Sequence, residues 1–382
     1  MSTRVLLLSS AARADHQTSR TRSRGSRTAN STLSPSSMAY PRIDAHIHLW
    51  PDDHEKYFFG RTRYPGDPGE PGPGADGSWT RADFDPTAGQ LDYYRQGTAK
   101  ALLAAQAEVG VHAAHAISVV FTGYDDSYIE DCIEATPLRI RGSHVCDPAS
   151  TPEKEVARIE RLHSQQGFTG VRFKPNLWAD AGVAVPYNDD VGHAVAQACG
   201  ERGMAIGILS AFTRDDQEAE QIEKLAAAFP STQIIIDHFG GGPTPGALQG
   251  APNWNRFLAL SKFDNVAVKV SGWHPHGSTG STPIPPGGKD DYEVAGTACL
   301  ELMGKYGAGR LMYGTNYPEP AVYCDHTKGY QRQWRAFDAW CGEHVSPEEA
   351  GLMGGGTCGR LYQFDCEALL AAGPALPMEG RL

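Results

Sequence analysis

The feature that most constrains the fold is an alternation of short β-rich runs with amphipathic stretches, which repeats along most of the chain. Eight runs have strand character, and the stretches between them are long enough to cross from one parallel strand to the next. Because such crossovers are right-handed and eight parallel strands close on themselves, the pattern predicts an α/β fold, a (β/α)8 barrel of the TIM type. The predicted strands are 42–50, 113–121, 138–146, 168–176, 203–211, 232–240, 265–273 and 310–318. The predicted helices lie near 87–110, 125–135, 152–166, 189–202, 215–229, 254–263, 290–307 and 326–341.

An open, doubly wound sheet is the structural alternative, since it shows the same alternation. The first predicted strand, however, is not followed by the glycine-rich GxGxxG turn of dinucleotide-binding sheets. Helix-end signals agree with the predicted helices: Pro152 stands at a first helical position, and Gly167, Gly203 and Gly307 follow helix ends. The barrel is therefore the favoured fold.

The first segment differs from the rest of the chain. Residues 1–37 contain six arginines, one aspartate and many serines and threonines, and little that could form a core. We interpret them as a disordered or targeting tail, with Met38 as an alternative start. The barrel domain is predicted over 38–370, with a C-terminal tail at 371–382. The expected compartment is the cytoplasm, with mitochondria as the alternative because the tail is rich in Arg and Ser.

Composition excludes several classes of protein. The formal net charge of -11 argues against a nucleic-acid binder, and no apolar run of the 382-residue chain is long enough to cross a bilayer. The eight cysteines lie far apart without a CxxC pair and indicate buried thiols in a reducing compartment. The expected partner is a small molecule. An acidic surface is also compatible with a homodimer.

In TIM-type barrels the chemistry lies at the carboxyl ends of the strands, so the residues there are the candidates for function. Polar and ionisable groups collect at these predicted ends: His46, His48, His144, Arg172, Lys174, Ser210, His238, Ser271, His274, His276 and Asn316. Strict alternation along a strand places Asp44, His46 and His48 on one face of the first strand. A Pro/Gly-rich insertion with several aromatic residues follows at 51–84, and we predict a lid there, with surface decoration as the alternative.

Four short motifs carry a resemblance to a known family: DAHIH at 44–48, GVRF at 170–173, IDHFG at 236–240 and GTNYP at 314–318. Together they resemble the amidohydrolase superfamily. The similarity is greatest to the amidohydrolase-related branch that includes pyrone-dicarboxylate and fuconolactone-type lactonases and zinc decarboxylases. It extends from about residue 41 to about residue 365.

The resemblance bears on metal binding. In zinc-dependent relatives the two first-strand histidines are joined by a histidine on strand five and an aspartate on strand eight. Here those places offer Ser210 and Asn316, so we expect no cofactor to be required. The alternative is a zinc ion held by His46, His48 and His238, with His274 or Lys174 completing the set.

The function that the resemblance implies is hydrolysis of a lactone or a pyrone-type cyclic ester by a histidine-activated water. We assign His238 as the base and His46 and His48 as groups that polarise the carbonyl. Asn316 cannot accept a proton from water, so its predicted role is to position that water.

The substrate-binding residues are predicted to be Arg172 and Lys174 on the fourth strand, together with Ser210, His274 and His276. An internal ion pair with Asp44 or Asp237 is the alternative for Arg172 and Lys174.

Two other hypotheses remain open. The first is a zinc-dependent decarboxylase of an unsaturated or aromatic acid, and the second is a catalytically impaired barrel that only binds its ligand. Lys269, a cation within an apolar run, is predicted to neutralise a buried carboxylate and not to meet the substrate.

Overall fold

The computed structural model of the chain describes residues 40–51, 53, 56–57, 97–118, 124–183, 186–209, 218–241, 252–271, 293–318 and 329–378. Within these residues, eight parallel strands form one sheet whose order follows the chain from β1 to β8. The strands are β1 (Ile43–Ile47), β2 (Ala113–Ile117), β3 (Ile140–Val145), β4 (Phe168–Phe173), β5 (Ala205–Ile208), β6 (Gln233–Ile236), β7 (Val266–Ser271) and β8 (Leu311–Gly314). This arrangement confirms the predicted (β/α)8 barrel.

Helices alternate with the strands, and after β8 one long helix is followed by three short ones within the described ranges. They are α1 (Ala99–Val109), α2 (Ser127–Ala135), α3 (Pro152–Gln166), α4 (Pro175–Asp180), α5 (Asp190–Arg202), α6 (Glu218–Ala228), α7 (Pro252–Ala259), α8 (Glu293–Tyr306), α9 (Gly329–His344), α10 (Pro347–Gly351), α11 (Thr357–Leu361) and α12 (Cys366–Ala372). None of the helices in the described ranges combines the length and the apolar character that crossing a lipid bilayer requires.

Local sequence signals set the helix ends as predicted. The Thr151 hydroxyl accepts a hydrogen bond from the Lys154 N–H at the start of α3, and Pro152 occupies the first turn. Gly167 ends that helix in the left-handed conformation, with φ of 70°. Gly203 ends α5 in the same way, with φ of 64°.

Contacts between the first and last strands bring the barrel almost to closure. Ile47 forms a parallel bridge with Tyr317. The Asn316 N–H donates to the His46 carbonyl at 2.8 Å, and the His48 N–H donates to the Tyr317 carbonyl at 2.7 Å. Gly314 is required here, because a Cβ on it would lie 2.8 Å from the His46 nitrogen.

Small side chains inside the barrel leave room for one large ring. Tyr362, which follows α11, enters the interior, where a Cβ on Gly170 would lie 3.1 Å from its ring. Its ring stacks on that of His115 with centroids 3.5 Å apart. The apolar residues packed around it are mostly small or β-branched: Ile43, Ala45, Ala113, Ala205, Ile235, Ala267 and Met312. The C-terminal segment therefore fills the barrel interior.

The first strand departs from strict alternation. The register between β1 and β2 shifts between Asp44 and Ile47. As a result, the Asp44 carboxylate accepts hydrogen bonds from the Thr315 N–H at 3.0 Å and the Thr315 hydroxyl at 2.7 Å, whereas His46 faces other strands. The strict alternation predicted for this strand is thus interrupted, and the side chains of Asp44 and His46 contact different partners.

Several other predictions concern the edges of the described ranges. The predicted tail at 1–37 and nearly all of the predicted lid at 51–84 lie outside the described residues. The boundary predicted at 370 falls inside α12, and beyond it Ala375 is buried and donates its N–H to the Val111 carbonyl at 2.9 Å. The seven cysteines within the described ranges are free thiols, and six of them are buried, as expected.

Candidate active site

Three histidines converge at the carboxyl end of the barrel. His46 lies on β1, His48 follows that strand directly, and His238 begins the turn after β6. The His46 ring centroid is 5.0 Å from that of His48 and 4.3 Å from that of His238. All three side chains are buried. The structure thus brings together the three residues in which the resemblance placed the chemistry.

Left-handed backbone at the end of β6 aims His238 at this cluster. His238 and Phe239 have φ of 50° and 53°, which turns the chain sharply after the strand. The His238 Nδ1 lies 2.9 Å from the Ser271 hydroxyl oxygen, at the end of β7. This hydrogen bond fixes the orientation of the ring.

The surroundings favour neutral imidazoles. Burial, reinforced by the positive charge of Arg172, lowers the pKa of His48 to about 3. Burial and the neighbouring His238 hold the pKa of His46 well below its usual range. Both rings therefore keep a lone pair on nitrogen at neutral pH.

A backbone contact selects which nitrogen of His48 is available. Its Nδ1 lies 3.0 Å from the carbonyl oxygen of Ile117 at the end of β2. Since a carbonyl only accepts, Nδ1 carries the proton and Nε2 keeps its lone pair. Neither ring nitrogen of His46 has a hydrogen-bond partner among the described residues.

Asp237, the residue between β6 and His238, is the electrostatic centre of the site. Its fully buried carboxylate lies 3.6 Å from His46 Nδ1, 3.4 Å from Lys269 Nζ and 3.5 Å from Arg172 Nη2. Burial by itself would raise the pKa of Asp237, but Lys269, His46 and Arg172 together outweigh it and hold that pKa well below its usual range. Asp237 is therefore an anion surrounded by cations and a neutral ring.

The two fourth-strand cations have different positions. Arg172 on β4 faces Asp237 and is 6% exposed, and its Nε has no hydrogen-bond partner among the described residues. Lys174 lies beyond the strand, where it caps α4, and is half-buried. Arg172 forms an ion pair with Asp237, so for this residue the ion-pair alternative is realised with Asp237.

Asn316 lies at the end of β8 beside the first histidine. Its backbone adopts a left-handed φ of 60°, which Asn tolerates better than most residues, and its N–H donates to the His46 carbonyl. The side chain is 5% exposed. Asn316 thus belongs to the same rim as the histidines.

Three of the predicted substrate contacts fall in parts of the chain that the structure does not describe. Ser210, His274 and His276 lie outside the described residues, in the segments after β5 and β7. Of the predicted lid, Tyr57 is described and buried, and its hydroxyl donates to the Asp131 carboxylate on α2 at 2.6 Å. The candidate His144 is buried on β3, with its ring 6.4 Å from that of Phe168.

Two contacts of the site were not predicted: that of Asp237 with His46 and that of Ser271 with His238. Asp237 was considered only as an ion-pair partner, although its place next to His238 and two residues after the interior Ile235 indicates that it faces inward. The hydrogen bond between His238 and Ser271 depends on how β6 and β7 pair, so no local sequence signal predicts it.

The donors present fit the first two ligands of a divalent ion. His48 offers Nε2, with its tautomer fixed by a backbone carbonyl as in many metal-binding histidines, and His46 has two nitrogens without hydrogen-bond partners. In the described part of the chain, no group of three His, Cys, Asp or Glu side chains has the spacing of a complete metal site. Among the described residues, His238 and Asn316 lie closest to hand as candidates for a third ligand.

Solved structures share this fold. The chain superposes on a probable 2-pyrone-4,6-dicarboxylic acid hydrolase from Acinetobacter baumannii with bound citric acid, at a TM-score of 0.59 and 18% identity, covering 85% of this chain and 99% of that one. It is also similar to an amidohydrolase from Burkholderia multivorans with bound zinc, at a TM-score of 0.56 and 17% identity, covering 85% and 99%. A third is 5-carboxyvanillate decarboxylase from Novosphingobium aromaticivorans with manganese, at a TM-score of 0.54 and 14% identity, covering 86% and 97%. None of the curated proteins compared with the chain matches it.

These structures overturn one prediction. The expectation that no cofactor is required is wrong, because proteins of this fold were crystallised with zinc and with manganese. The prediction gave too much weight to the loss of one anionic ligand at Asn316. Neutral imidazoles at His46 and His48 still offer nitrogen ligands for a divalent ion.

The family is decided by the sequence itself. The model of the amidohydrolase family matches residues 43–364, from the first strand of the barrel to the segment after Tyr362. The matched range contains the histidine cluster, Arg172 and Asp237. The chain therefore belongs to the amidohydrolase family.

Proposed function

We propose that this protein is a metal-dependent hydrolase that opens a carboxylate-bearing lactone or pyrone-type cyclic ester. The observation that carries the proposal is the convergence of His46, His48 and His238 with Arg172 at one end of an amidohydrolase barrel. Nitrogen ligands, a proton acceptor and an anion-binding group are the parts that hydrolysis of such an ester needs.

His46 and His48 would hold the metal ion. When bound, a divalent ion supplies Lewis-acid polarisation of the ester carbonyl. The chain prepares both rings for this task by keeping them neutral, and the Ile117 carbonyl keeps His48 Nε2 free of a proton.

His238 is the proposed proton acceptor. With Nδ1–H donating to the Ser271 hydroxyl, Nε2 can take a proton from water as the water oxygen bonds to the ester carbon. The bond from that carbon to the ring oxygen then breaks, and His238 returns the proton to the ring oxygen. Asn316 would hold the water with its neutral amide.

Arg172 would bind the substrate carboxylate. Its guanidinium presents a planar pair of donors that matches a carboxylate. Arg172 lies near the histidines because it and His46 both contact the Asp237 carboxylate. Lys174 would add a second positive charge further along the same chain segment. Ser210, His274 and His276 remain proposed substrate contacts.

The test is product analysis with protein loaded with Zn²⁺ or Mn²⁺. A panel of lactone and 2-pyrone carboxylates is incubated in oxygen-18-labelled water, and the products are identified by mass spectrometry. We expect a ring-opened acid that contains one labelled oxygen, and no such product from His238→Asn. Failure of the loaded protein to open any member of the panel would refute the proposal.

A decarboxylase of an unsaturated or aromatic acid is the second candidate. It is favoured by the similarity in fold to 5-carboxyvanillate decarboxylase, crystallised with manganese. The same panel separates the two functions, because decarboxylation releases carbon dioxide and incorporates no labelled oxygen from water. Carbon dioxide release without ring opening would replace the hydrolase proposal with this one.

A further inference from the structure

A buried layer of charge lies directly beneath the histidines. Lys269 on β7 and Asp237 have side chains with 0% exposure, and the Arg172 side chain is 7% exposed. Lys269 Nζ lies 3.4 Å from one oxygen of Asp237, and Arg172 Nη2 lies 3.5 Å from the other. Two cations therefore share one carboxylate, and the three groups together carry one surplus positive charge.

Lys269 lies too deep to meet a ligand. It precedes Ser271 by two residues on the same face of β7, on the side away from the rim. Its ammonium lies over the Tyr362 ring, 5.0 Å from the centroid, inside the barrel. Among the described residues, its Nζ has no hydrogen-bond partner, and Asp237 is the carboxylate within ion-pair distance. Its influence on a ligand must therefore pass through Asp237.

We propose that Lys269 is a positioning residue that neutralises Asp237 and so keeps the Arg172 guanidinium available for an anionic ligand. A buried carboxylate cannot remain without a counter-charge. If Lys269 were absent, Arg172 would have to supply that charge alone, and the pair would present no net charge to a substrate. The proposal rests on the proposed function only in taking the ligand to be a carboxylate.

The first test is a crystal structure of Lys269→Met, which retains most of the side-chain volume. Arg172 should close on Asp237 from the present 3.5 Å to a charge-assisted hydrogen bond of about 2.8 Å. In Lys269→Arg, which restores the charge, the wild-type separation should persist. An unchanged separation in Lys269→Met would overturn the proposal, and this result does not depend on any substrate.

The second test measures binding to the metal-loaded protein by calorimetry, with a 2-pyrone carboxylate and the uncharged 2-pyrone as probes. Lys269→Met should weaken binding of the carboxylate roughly tenfold or more, as expected for loss of one nearby unit charge, and should not change binding of 2-pyrone. The double variant K269M/D237N should restore carboxylate binding, because Arg172 then has no internal competitor.

A merely structural role for Lys269 predicts different results. Binding of both probes would weaken together, and the double variant would be no better than Lys269→Met, so either result would overturn the proposal. If Lys269→Met does not fold, Lys269→Arg and the double variant are compared with wild type instead. If wild type binds neither pyrone, the proposed function fails, while the crystal structures still decide the role of Lys269.

Discussion

Arg310 at the amino end of the barrel and the His46–Asp237 cluster at the carboxyl end use their polar atoms in different ways. At the amino end, Arg310 directs two nitrogens of its guanidinium at backbone carbonyls. Its Nε donates to the Tyr306 carbonyl at 2.9 Å, and its Nη1 donates to the carbonyls of Ser261 and Phe263 at 3.0 and 2.8 Å. With a further bond to the Val266 carbonyl at 3.5 Å, this cation joins the segments before β7 and β8.

At the carboxyl end, comparable groups keep their polar atoms. Within the described residues, both nitrogens of His46, Nε of Arg172, both oxygens of Asp237 and Nζ of Lys269 have no hydrogen-bond partner. Asp237 and Lys269 compensate each other as an ion pair, whereas an unpartnered nitrogen such as those of His46 costs the fold about 1–3 kcal/mol when buried. The difference indicates that the amino end is built for stability and the carboxyl end for a ligand, so substitutions at the two ends should fail in different ways.

The largest effect is expected at the histidines. His48→Ala should lower kcat/KM for the cyclic ester by roughly 10³-fold and reduce the metal content, because it removes a nitrogen ligand and several kcal/mol of carbonyl polarisation with it. The melting temperature of the metal-free protein should change little. Kinetics, elemental analysis and thermal denaturation measure the three quantities.

His144→Leu is the matched control, since His144 is equally buried but lies on β3 near Phe168. It should keep wild-type activity and metal content. If His48→Ala kept both its metal and its activity, the assignment of the carboxyl end to ligand binding would be wrong.

Arg172→Lys should mainly affect substrate binding. Lysine keeps the charge but loses the planar fork, so KM for a pyrone carboxylate should rise roughly tenfold to a hundredfold, with a smaller change in kcat. Steady-state kinetics provide the measurement, and the uncharged 2-pyrone serves as the control substrate. An equal rise in KM for the uncharged compound would show that Arg172 does not read a carboxylate.

Much of this architecture could be predicted from the sequence, because the strands are β-rich runs and several helices, such as α3 and α5, carry their own caps. The strand ends were less predictable: β5 spans Ala205–Ile208 within the predicted run 203–211. The prediction that Lys269 neutralises a buried carboxylate is confirmed by its ion pair with Asp237. A cation within an apolar run requires such a partner wherever it folds.

Features that depend on pairing between strands could not be predicted. The register of β1 shifts between Asp44 and Ile47, yet nothing within that strand marks the shift. The hydrogen bond between His238 and Ser271 likewise requires the register of β7 and the left-handed turn after β6. The family motifs identified the histidines that meet in the fold. The contacts of Asp237 with Lys269 and Arg172 are visible only in three dimensions.

At the amino end, Arg310→Gln should affect stability and not activity. Loss of its bonds to backbone carbonyls should lower the free energy of unfolding by about 2 kcal/mol, measured by urea denaturation. The ratio kcat/KM should stay at the wild-type value at a temperature where the variant is folded. A large loss of activity without loss of stability would contradict the assignment of this end to structure.

The smallest effect concerns pH and His112, which precedes β2 and accepts the Arg42 N–H on Nδ1 at 3.1 Å. Burial, with the charges of Arg139 and Arg42, lowers the pKa of His112 from 6.5 to about 4. The unfolded chain therefore binds more protons between these values, so this stabilisation is complete above about pH 6.5 and is lost as the pH falls toward 4. Lowering the pH from 7 to 5 should therefore reduce the free energy of unfolding by about 1–2 kcal/mol through His112.

His112→Asn isolates that contribution. The amide oxygen can accept the same N–H but does not titrate, so the loss of stability between pH 7 and pH 5 should be smaller than in wild type. Urea denaturation at the two pH values gives the comparison. If both proteins lost the same stability between pH 7 and pH 5, His112 would not be the source of this pH dependence.

The central claim is that His46 and His48 at the carboxyl end form the core of a metal site. Anomalous diffraction at the zinc edge, from crystals grown with Zn²⁺, tests it most directly. We expect one strong peak about 2.0–2.1 Å from a ring nitrogen of each of the two histidines, and no peak there in His48→Ala. A zinc-loaded crystal without density between these rings, or with its ion bound elsewhere, would contradict the account.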